Sequence, residues 1–296
     1  MIWLVPALLV PFLHAWANIL DNYLVNHLFQ RVWTLTFYSN LTNLFFIPLV
    51  LLIELPSIPP IALWPIFLLL SLIQVFYLYP YYKALQHQDT STVSALFALG
   101  HVLVPLLAFF IVGETLPWQQ YLGFGLIIFA SAILSINRAH AVPLNRSFVY
   151  MLFCSVLLSF EVVLYKYLFQ DVSWSTGFVW TTILSFIIVL SFLFVASWRQ
   201  DILNQWSTFR NKFLLFTGEE LLTFSGSAAA TLAISLGSVT LVSAVESLQP
   251  LYVLLFALVL KQLWPKLFKE DISLALLAKK IVFLLIIIGG ILLTID

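Results

Sequence analysis

The chain has 296 residues, of which 62% are hydrophobic and 9% are charged, and its formal net charge is zero. A mean hydropathy of +1.05 is typical of an integral membrane protein. A neutral chain has no basic surface that could hold nucleic acid, so nucleic-acid binding is excluded. The single cysteine, Cys154, excludes a disulfide framework, and no Cys/His spacing predicts a metal site. We therefore expect no metal and no cofactor.

Apolar runs long enough to cross a bilayer follow one another along the chain. A hydrocarbon core about 30 Å thick needs about 20 apolar helical residues. The runs and their polar punctuation predict an all-α polytopic membrane protein with ten transmembrane helices, called spans 1 to 10. The first run lacks a basic region and a cleavage motif, so we expect a retained span rather than a signal peptide. The spans cover residues 2–25, 33–54, 63–86, 91–112, 118–137, 147–169, 175–197, 212–235, 239–261 and 277–295.

Basic residues cluster near the loops that follow odd-numbered spans, whereas Lys166 lies towards the other side. The positive-inside rule places those loops in the cytoplasm, and an even number of spans then places both termini outside. Glu54, Glu114 and Asp171 are expected only to mark the outer ends of spans. We expect a multi-pass protein of a bacterial inner (plasma) membrane, present as a monomer or homodimer.

A cut near residue 146 divides the predicted spans into two halves of five, 1–146 and 147–296. Because five is an odd number, the second half runs in the opposite orientation, which is the inverted repeat typical of secondary transporters. Aligning Thr90 to Ile111 with Val239 to Leu260 supports the cut, since seven small or apolar residues match.

The segments around this alignment resemble a known family. Residues 84–134 hold a Gly113-Glu114 turn and then a glycine-containing helix, and they resemble the end of an EamA-type repeat of the drug/metabolite transporter superfamily. Residues 233–260 resemble the same unit, with Gln249-Pro250 where the family often has Glu-Pro. Two positions depart from the pattern: Gln262-Leu263 replaces the second Gly-Glu turn, and Gly100-His101 replaces the first Glu-Pro pair.

This resemblance implies a ten-helix basket with a central cavity between two five-helix repeats. It implies that spans 1, 3, 4, 6, 8 and 9 line the cavity and that a small solute crosses by alternating access. Members of the superfamily commonly keep both termini in the cytoplasm, which is opposite to the orientation that the basic residues predict here.

Acidic side chains inside the spans are the main functional signal. Each charge costs a few kcal/mol or more in hydrocarbon, so it needs a partner, a cavity or a ligand. Glu161 has about half of span 6 on one side and no basic residue one turn away, so a salt bridge to Lys83 or Lys166 is its structural alternative. The acidic residues are Asp21, Glu161, Glu219, Glu220 and Glu246.

Helical spacing groups other polar residues with these acids. His14, Asn18 and Asp21 share one face of span 1, and Tyr165 lies one turn after Glu161. Packing between helices is an equally good interpretation of the span 1 stripe, and Asp21 is near enough to the span end to reach the interface.

Aromatic residues could complete a cation site. Tyr77 and Tyr81 share a face of span 3 with Gln74, while Trp16 and Trp180 lie deep in spans 1 and 7. Aromatic faces combined with carboxylates form the kind of cage that binds ammonium or sulfonium groups. Core or lipid packing is the alternative for these aromatics.

Two prolines mark candidate hinges. Pro250 frees the backbone carbonyl of Glu246, one turn earlier, and Gln249 lies beside it. In span 4, Pro105 lies one turn after His101. Pro105 and Pro250 are therefore hinge candidates, with a plain packing kink as the alternative.

Span 8 begins with Glu219 and Glu220. Adjacent helical residues point about 100° apart, so we expect at most one of the two to face the centre squarely. A carboxylate that releases a cation can bind a proton instead, which makes Glu219, Glu220, His101 and Asp21 coupling candidates.

No enzyme motif is present, and we predict a secondary transporter rather than an enzyme. The acidic and aromatic bias predicts a small organic cation, or a cationic or zwitterionic metabolite, as substrate, with proton coupling or facilitated diffusion. An exporter of neutral or aromatic amino acids is the alternative, and an intramembrane lipid-modifying enzyme is a remote one. The expected partners are the solute and the bilayer. The substrate-binding candidates are Glu161, Glu246, Trp16, Tyr77, Tyr81, Trp180, Asn18, His14, Tyr165 and Gln249.

Overall fold

The structure is a computed structural model that describes residues 2–29, 31–88, 90–135 and 146–263, together with 286, 289–291 and 293. The described residues form helices and short connections, with no strand among them. Most of span 10 (277–295) lies outside the described residues, as do 136–145 and 264–276. The count of ten spans, the inverted repeat, the boundary at residue 146 and the orientation therefore stay predictions.

The helices follow the predicted spans closely. Helices α1 to α3 occupy spans 1 to 3, α4 and α5 share span 4, and α6, α7 and α8 occupy spans 5, 6 and 7. A surface helix, α9, follows, and then α10 in span 8 and α11 and α12 in span 9. The bounds are α1 Leu4–Leu28, α2 Val32–Leu51, α3 Ile61–Leu85, α4 Thr90–Gly100, α5 His101–Val112, α6 Trp118–Ser135, α7 Arg146–Leu168, α8 Trp174–Phe194, α9 Ala196–Asn211, α10 Phe213–Leu236, α11 Val239–Glu246 and α12 Gln249–Leu263.

Five of the described helices are long and apolar enough to cross a membrane: α1, α2, α3, α7 and α8. Helix α10 is as long, with 24 residues, but Glu219, Glu220 and a run of small polar residues lower its hydropathy. The connection between spans 7 and 8 contains α9. The Tyr38 hydroxyl donates to the Ile202 carbonyl 2.7 Å away and thereby fixes α9 against α2.

Spans 4 and 9 are both interrupted near their middle. Helix α4 ends at Gly100, and a 3₁₀ turn at His101–Leu103 precedes Pro105. Helix α11 ends at Glu246, and a two-residue turn separates it from Gln249–Leu263. Each proline therefore lies in the first turn after a break, where its missing N–H costs little. The breaks agree with the two candidate hinges, while movement about them stays a prediction.

The two largest of the three apolar clusters among the described residues occupy opposite ends of the bundle. One contains Ala7 near the start of α1, and the other contains Leu24 near its end. Helix α1 packs along α10, and a Cβ added at Gly226 would clash with the His14 ring. Because the residues of α10 at this contact are small, the polar face of α1 lies close to α10. The polar side chains of the two helices lie between the two apolar clusters.

Glu114 does more than mark a span end. Gly113 ends α5 in the left-handed conformation, with φ of 69°, and turns the chain so that Glu114 reaches the start of α11. Its carboxylate accepts from the Val239 amide at 3.0 Å, the Thr240 amide at 3.1 Å and the Ser238 hydroxyl at 2.9 Å. Glu114 therefore caps a helix of the second half from the first half.

Glu54 repeats this arrangement at the end of span 2. Its Oε2 accepts from the Ser175 amide at 3.1 Å, at the first turn of α8. Span 2 of the first half thus caps span 7 of the second, as span 4 caps span 9. The expectation that these two acids only mark the outer face was wrong, whereas Asp171 is exposed.

Candidate substrate cavity

A cavity of about 220 Å³ lies between the two apolar clusters. This volume suits a small solute rather than a drug-sized one. Residues from eight spans line it, because spans 2 and 7 contribute as well as the expected spans 1, 3, 4, 6, 8 and 9. All five acidic residues that the sequence singles out line this cavity: Asp21, Glu161, Glu219, Glu220 and Glu246.

Glu161 lies at the centre of a polar network between α3, α7 and α8. The Gln74 amide nitrogen donates to Glu161 Oε1 at 3.1 Å and to the Tyr165 hydroxyl oxygen at 2.8 Å. The Ser185 hydroxyl donates to the Gln74 carbonyl oxygen at 3.1 Å and holds the amide in this orientation. Glu161 is thus positioned by neutral groups rather than by a cation.

The predicted alternative partners of Glu161 make other contacts. The Lys83 ammonium donates to Gln86 Oε1 at 3.0 Å. The Lys166 ammonium donates to the carbonyls of Ile234 and Gly237, at 3.0 and 2.6 Å. A salt bridge from either lysine to Glu161 is therefore wrong.

Glu246 is the last residue of α11 and borders the same part of the cavity. Its side chain is 9% exposed, and its Oε1 has no hydrogen-bond partner among the described residues. Its helix, α11, packs against α7, which contains Glu161. The carbonyl end of α11 adds negative potential, so this region attracts a cation. Gln249, after the break, also lines the cavity.

A second acidic region contains Asp21, whose neighbours are Tyr81 and Asn18. The Tyr81 hydroxyl lies 2.8 Å from both Asp21 Oδ2 and Asn18 Oδ1, and its single proton cannot serve both acceptors fully. Asp21 Oδ1 has no partner among the described residues. Asp21 is only 5% exposed, so the expectation that it reaches the interface was wrong. The reason is that α1 continues to Leu28, beyond the predicted span end.

Glu219 and Glu220 both line the cavity, and each is 1% exposed. Helices α1 and α2 both pack against α10. The expectation that at most one of the two carboxylates faces the centre squarely stays a prediction. Glu219 Oε1 accepts from the Thr223 hydroxyl at 2.8 Å. One oxygen of each carboxylate lacks a partner among the described residues.

Tyrosines form part of the wall, and the two predicted tryptophans do not. Tyr77, Tyr81 and Tyr165 line the cavity. Trp16 stacks on Phe256 instead, with ring centroids 4.5 Å apart. The cavity face of α1 contains His14, and a residue two positions later points about 200° away from it. Trp16 as a substrate contact was therefore wrong.

Trp180 lies outside the cavity for the same geometric reason. Thr182 of α8 lines the cavity, so the residue two positions earlier faces away from it. The Trp180 indole nitrogen donates to the Ser57 carbonyl at 2.9 Å, and its ring packs edge-on against Trp64. Trp180 as a substrate contact was wrong too.

Some of the remaining candidates line the cavity and others do not. His14, Asn18 and His101 line the cavity, whereas the hinge candidates Pro105 and Pro250 do not. No lysine or arginine is among the described residues of the wall. Over the described ranges one ion pair is found, between Arg31 and Asp201 at 3.8 Å, and it lies at the surface.

Sequence reasoning missed the polar residues of spans 2 and 7. Ser39, Asn40 and Asn43 line the cavity from α2, and Thr182 and Ser185 line it from α8. Their signal is the presence of polar residues one turn apart inside apolar spans. No acidic residue accompanies them, and small polar residues alone are equally common where helices pack together.

Comparison with known proteins finds a family that the first part of the chain resembles. Residues 1–136 match the model of the EamA-like transporter family. The match covers a little under half of the 296 residues, and it shows that this part of the chain is similar to the EamA-like transporter family. The predicted resemblance to the drug/metabolite transporter superfamily is thereby confirmed, and the apolar helices fit a multi-pass integral membrane protein of a transporter family.

Solved structures share the fold. One of them, a crystal structure of a protein whose function is not stated, is similar over 98% of this chain and 96% of its own, with a TM-score of 0.60 and 15% sequence identity. That identity supports the fold of the EamA-like chain and nothing about its solute. No curated protein sequence matches this chain.

Proposed function

We propose that this EamA-like protein is a secondary transporter that moves a small organic cation, or a metabolite with a prominent cationic group. The observation behind the proposal is the composition of the cavity wall. Five carboxylates line one small cavity, and no lysine or arginine of the described residues lines it. Buried carboxylates without a cation are costly, and a bound ammonium group would offset that cost.

The same wall disfavours other solutes. An anion would meet five carboxylates and, among the described residues of the wall, no lysine or arginine, which is a repulsive arrangement. A neutral amino acid carries a carboxylate that needs a strong donor, and the described residues of the wall offer amides such as Asn40 but no lysine or arginine. The alternative hypothesis, an exporter of neutral or aromatic amino acids, also loses Trp16 and Trp180 as stacking surfaces.

Alternating access is the proposed mode of movement. The breaks in spans 4 and 9 border the cavity, with His101 beside one break and Glu246 beside the other. Rocking of two inverted five-helix repeats, 1–146 against 147–296, about these breaks would expose the carboxylates to one side at a time. By the basic residues of the loops, the capped ends at Glu54 and Glu114 face outward.

Coupling is proposed to be exchange of the cation for protons. A carboxylate left empty in a closed cavity is costly as a charge, and a proton removes that charge when the cation leaves. Because protonation removes the attraction, we expect cation affinity to fall as the pH is lowered. Glu219, Glu220 and Asp21 are the proposed proton sites, with His101 as a lesser one.

Counterflow in proteoliposomes tests the proposal. A panel of quaternary amines, primary amines and neutral amino acids would be measured at two pH values. We expect cations to exchange and to do so less well at the lower pH. Glu161→Gln and Glu246→Gln should each reduce exchange at least about tenfold, since each removes a buried charge from the binding region. Asp171→Asn, an exposed acid-to-amide change outside the cavity, is the matched control. Exchange of neutral solutes alone would reject the proposal.

A further inference from the structure

Resting on the proposed cation transport, we infer that the substrate is a linear dication, an α,ω-diamine with about four to six carbons between its nitrogens. The cavity has two acidic regions rather than one. We assign Glu161 and Glu246 to the first, because their helices α7 and α11 pack together. Asp21 lies on α1, which packs along α10, so we assign it with Glu219 and Glu220 to the second. A monovalent cation would neutralise one region and leave the other without a counter-charge.

Helix α3 sets the distance between the two regions. Gln74 donates to Glu161, and Tyr81 donates to Asp21. These donors are seven residues apart on α3, Ile61–Leu85, on either side of a one-residue turn at Tyr77 that stays in right-handed helical conformation. A rise of about 1.5 Å per residue gives about 10 Å along the axis. The two acidic regions therefore lie about two helical turns apart.

The length of the diamine follows from this distance. A charge-assisted hydrogen bond places each nitrogen about 2.8 Å from a carboxylate oxygen, either between the acids or beside them. The nitrogens then lie about 5 to 10 Å apart. An extended chain advances about 1.25 Å per bond, so four to six carbons separate nitrogens by about 6 to 9 Å.

The wall between the two acidic regions suits a methylene chain. Tyr77 lies between Gln74 and Tyr81 on the same face of α3, and Leu158 lines the cavity one turn before Glu161 on α7. An aromatic face and an aliphatic side chain offer contact to methylene groups and no competing charge.

Unpartnered oxygens lie at both ends. Glu246 Oε1 in the first region and Asp21 Oδ1 in the second have no hydrogen-bond partner among the described residues. Both side chains are more than nine-tenths buried and line the cavity. Two ammonium groups, each with three donors, would satisfy both oxygens at once.

A length series tests the inference on the purified full-length protein in detergent. Competition against labelled 1,5-diaminopentane would compare α,ω-diamines of two to eight carbons with n-alkylamines of the same lengths. We expect an affinity maximum at four to six carbons and at least tenfold weaker binding of the matched monoamines. Equal binding of monoamines and diamines, or no maximum with length, would overturn the inference and leave cation transport intact. If neither class of amine binds, the proposed function fails as well.

Variants locate the two ends. Glu161→Gln and Asp21→Asn should each bring diamine affinity down towards that of the monoamine, while Asp171→Asn leaves the length profile unchanged. Glu161→Asp keeps the charge and withdraws it by one methylene, so we expect the maximum to move to a longer diamine. A misfolded variant would lose binding at every length instead. An unmoved maximum in a Glu161→Asp protein that still binds would overturn the assignment of Glu161 to one end.

Discussion

Two glutamates, Glu114 and Glu246, lie at opposite ends of helix α11, and their surroundings differ. Glu114 accepts three hydrogen bonds at the first turn of α11, whereas Glu246, at the last residue of that helix, has an oxygen with no partner among the described residues. A helix N-terminus supplies donors and positive potential, and a C-terminus supplies acceptors and negative potential. The helix end that a carboxylate meets therefore separates a structural acid from one that attracts a ligand.

The largest expected effect comes from removing both acids of the first region. The double variant Glu161→Gln/Glu246→Gln should lower cation affinity by about 3 kcal/mol or more, over a hundredfold, because both charges are buried. The free energy of unfolding should stay the same or rise, since burying unpaired charges is unfavourable. Equilibrium binding and thermal unfolding in detergent measure the two effects. A loss of stability together with binding would assign these acids to structure.

Removing the three hydrogen bonds of Glu114 should have the opposite pattern, a loss of stability with no change in solute selectivity. Glu114→Ala deprives Val239 and Thr240 of their acceptor and should lower the free energy of unfolding by about 1–2 kcal/mol. Thermal unfolding would reveal the loss as a lower midpoint temperature. The ranking of cationic solutes in a competition assay should not change, because Glu114 does not line the cavity. An altered ranking would break the distinction between the two kinds of acid.

The single-bond cap should matter less. Glu54→Ala removes one acceptor from the Ser175 amide and should cost about 0.5–1 kcal/mol, measured in the same way. Because Glu54 and Glu114 cap helices at different positions, the double variant is expected to show the sum of the two losses. A larger loss than the sum would indicate that the two caps act together.

The smallest effect is expected outside the cavity. Trp180→Phe removes one hydrogen bond to Ser57 and leaves the wall intact, so solute affinity should change by less than about twofold. Tyr77→Leu, which alters the wall, is the comparison and should weaken binding clearly. If the two changes had equal effects in a competition assay, the assignment of Tyr77 to the cavity wall and of Trp180 to a position outside it would be contradicted.

Much of the fold was readable from the sequence, because hydropathy and proline punctuation decide where membrane helices begin and end. Polar side chains at helical spacing, such as His14 and Asn18, identified a cavity face correctly. The prediction that Trp16 and Trp180 contact the substrate was wrong because an aromatic ring is stable both in a pocket and against another helix. Its depth in a span therefore does not predict whether it faces the cavity. The direction of the neighbouring polar stripe would have excluded both.

The capping role of Glu114 and the full set of wall residues depended on contacts between distant spans. A Gly-Glu turn shows where α5 ends but not that α11 begins beside it. Likewise, Glu219 and Glu220 line one cavity together with residues of α1 and α2, and both of these helices pack against α10. Such packing joins residues some 200 positions apart, and no local pattern encodes it.

Selection for positive charge is the property of the cavity on which the proposed function depends. It can be measured by equilibrium binding of three solutes of nearly equal size to the purified protein: n-butylammonium, n-butanol and butyrate. We predict that the ammonium binds at least tenfold more tightly than the alcohol and that butyrate does not bind. We also predict that Glu161→Gln/Glu246→Gln removes most of the difference between ammonium and alcohol. Equal binding of the three solutes, or a preference for butyrate, would contradict selection for positive charge.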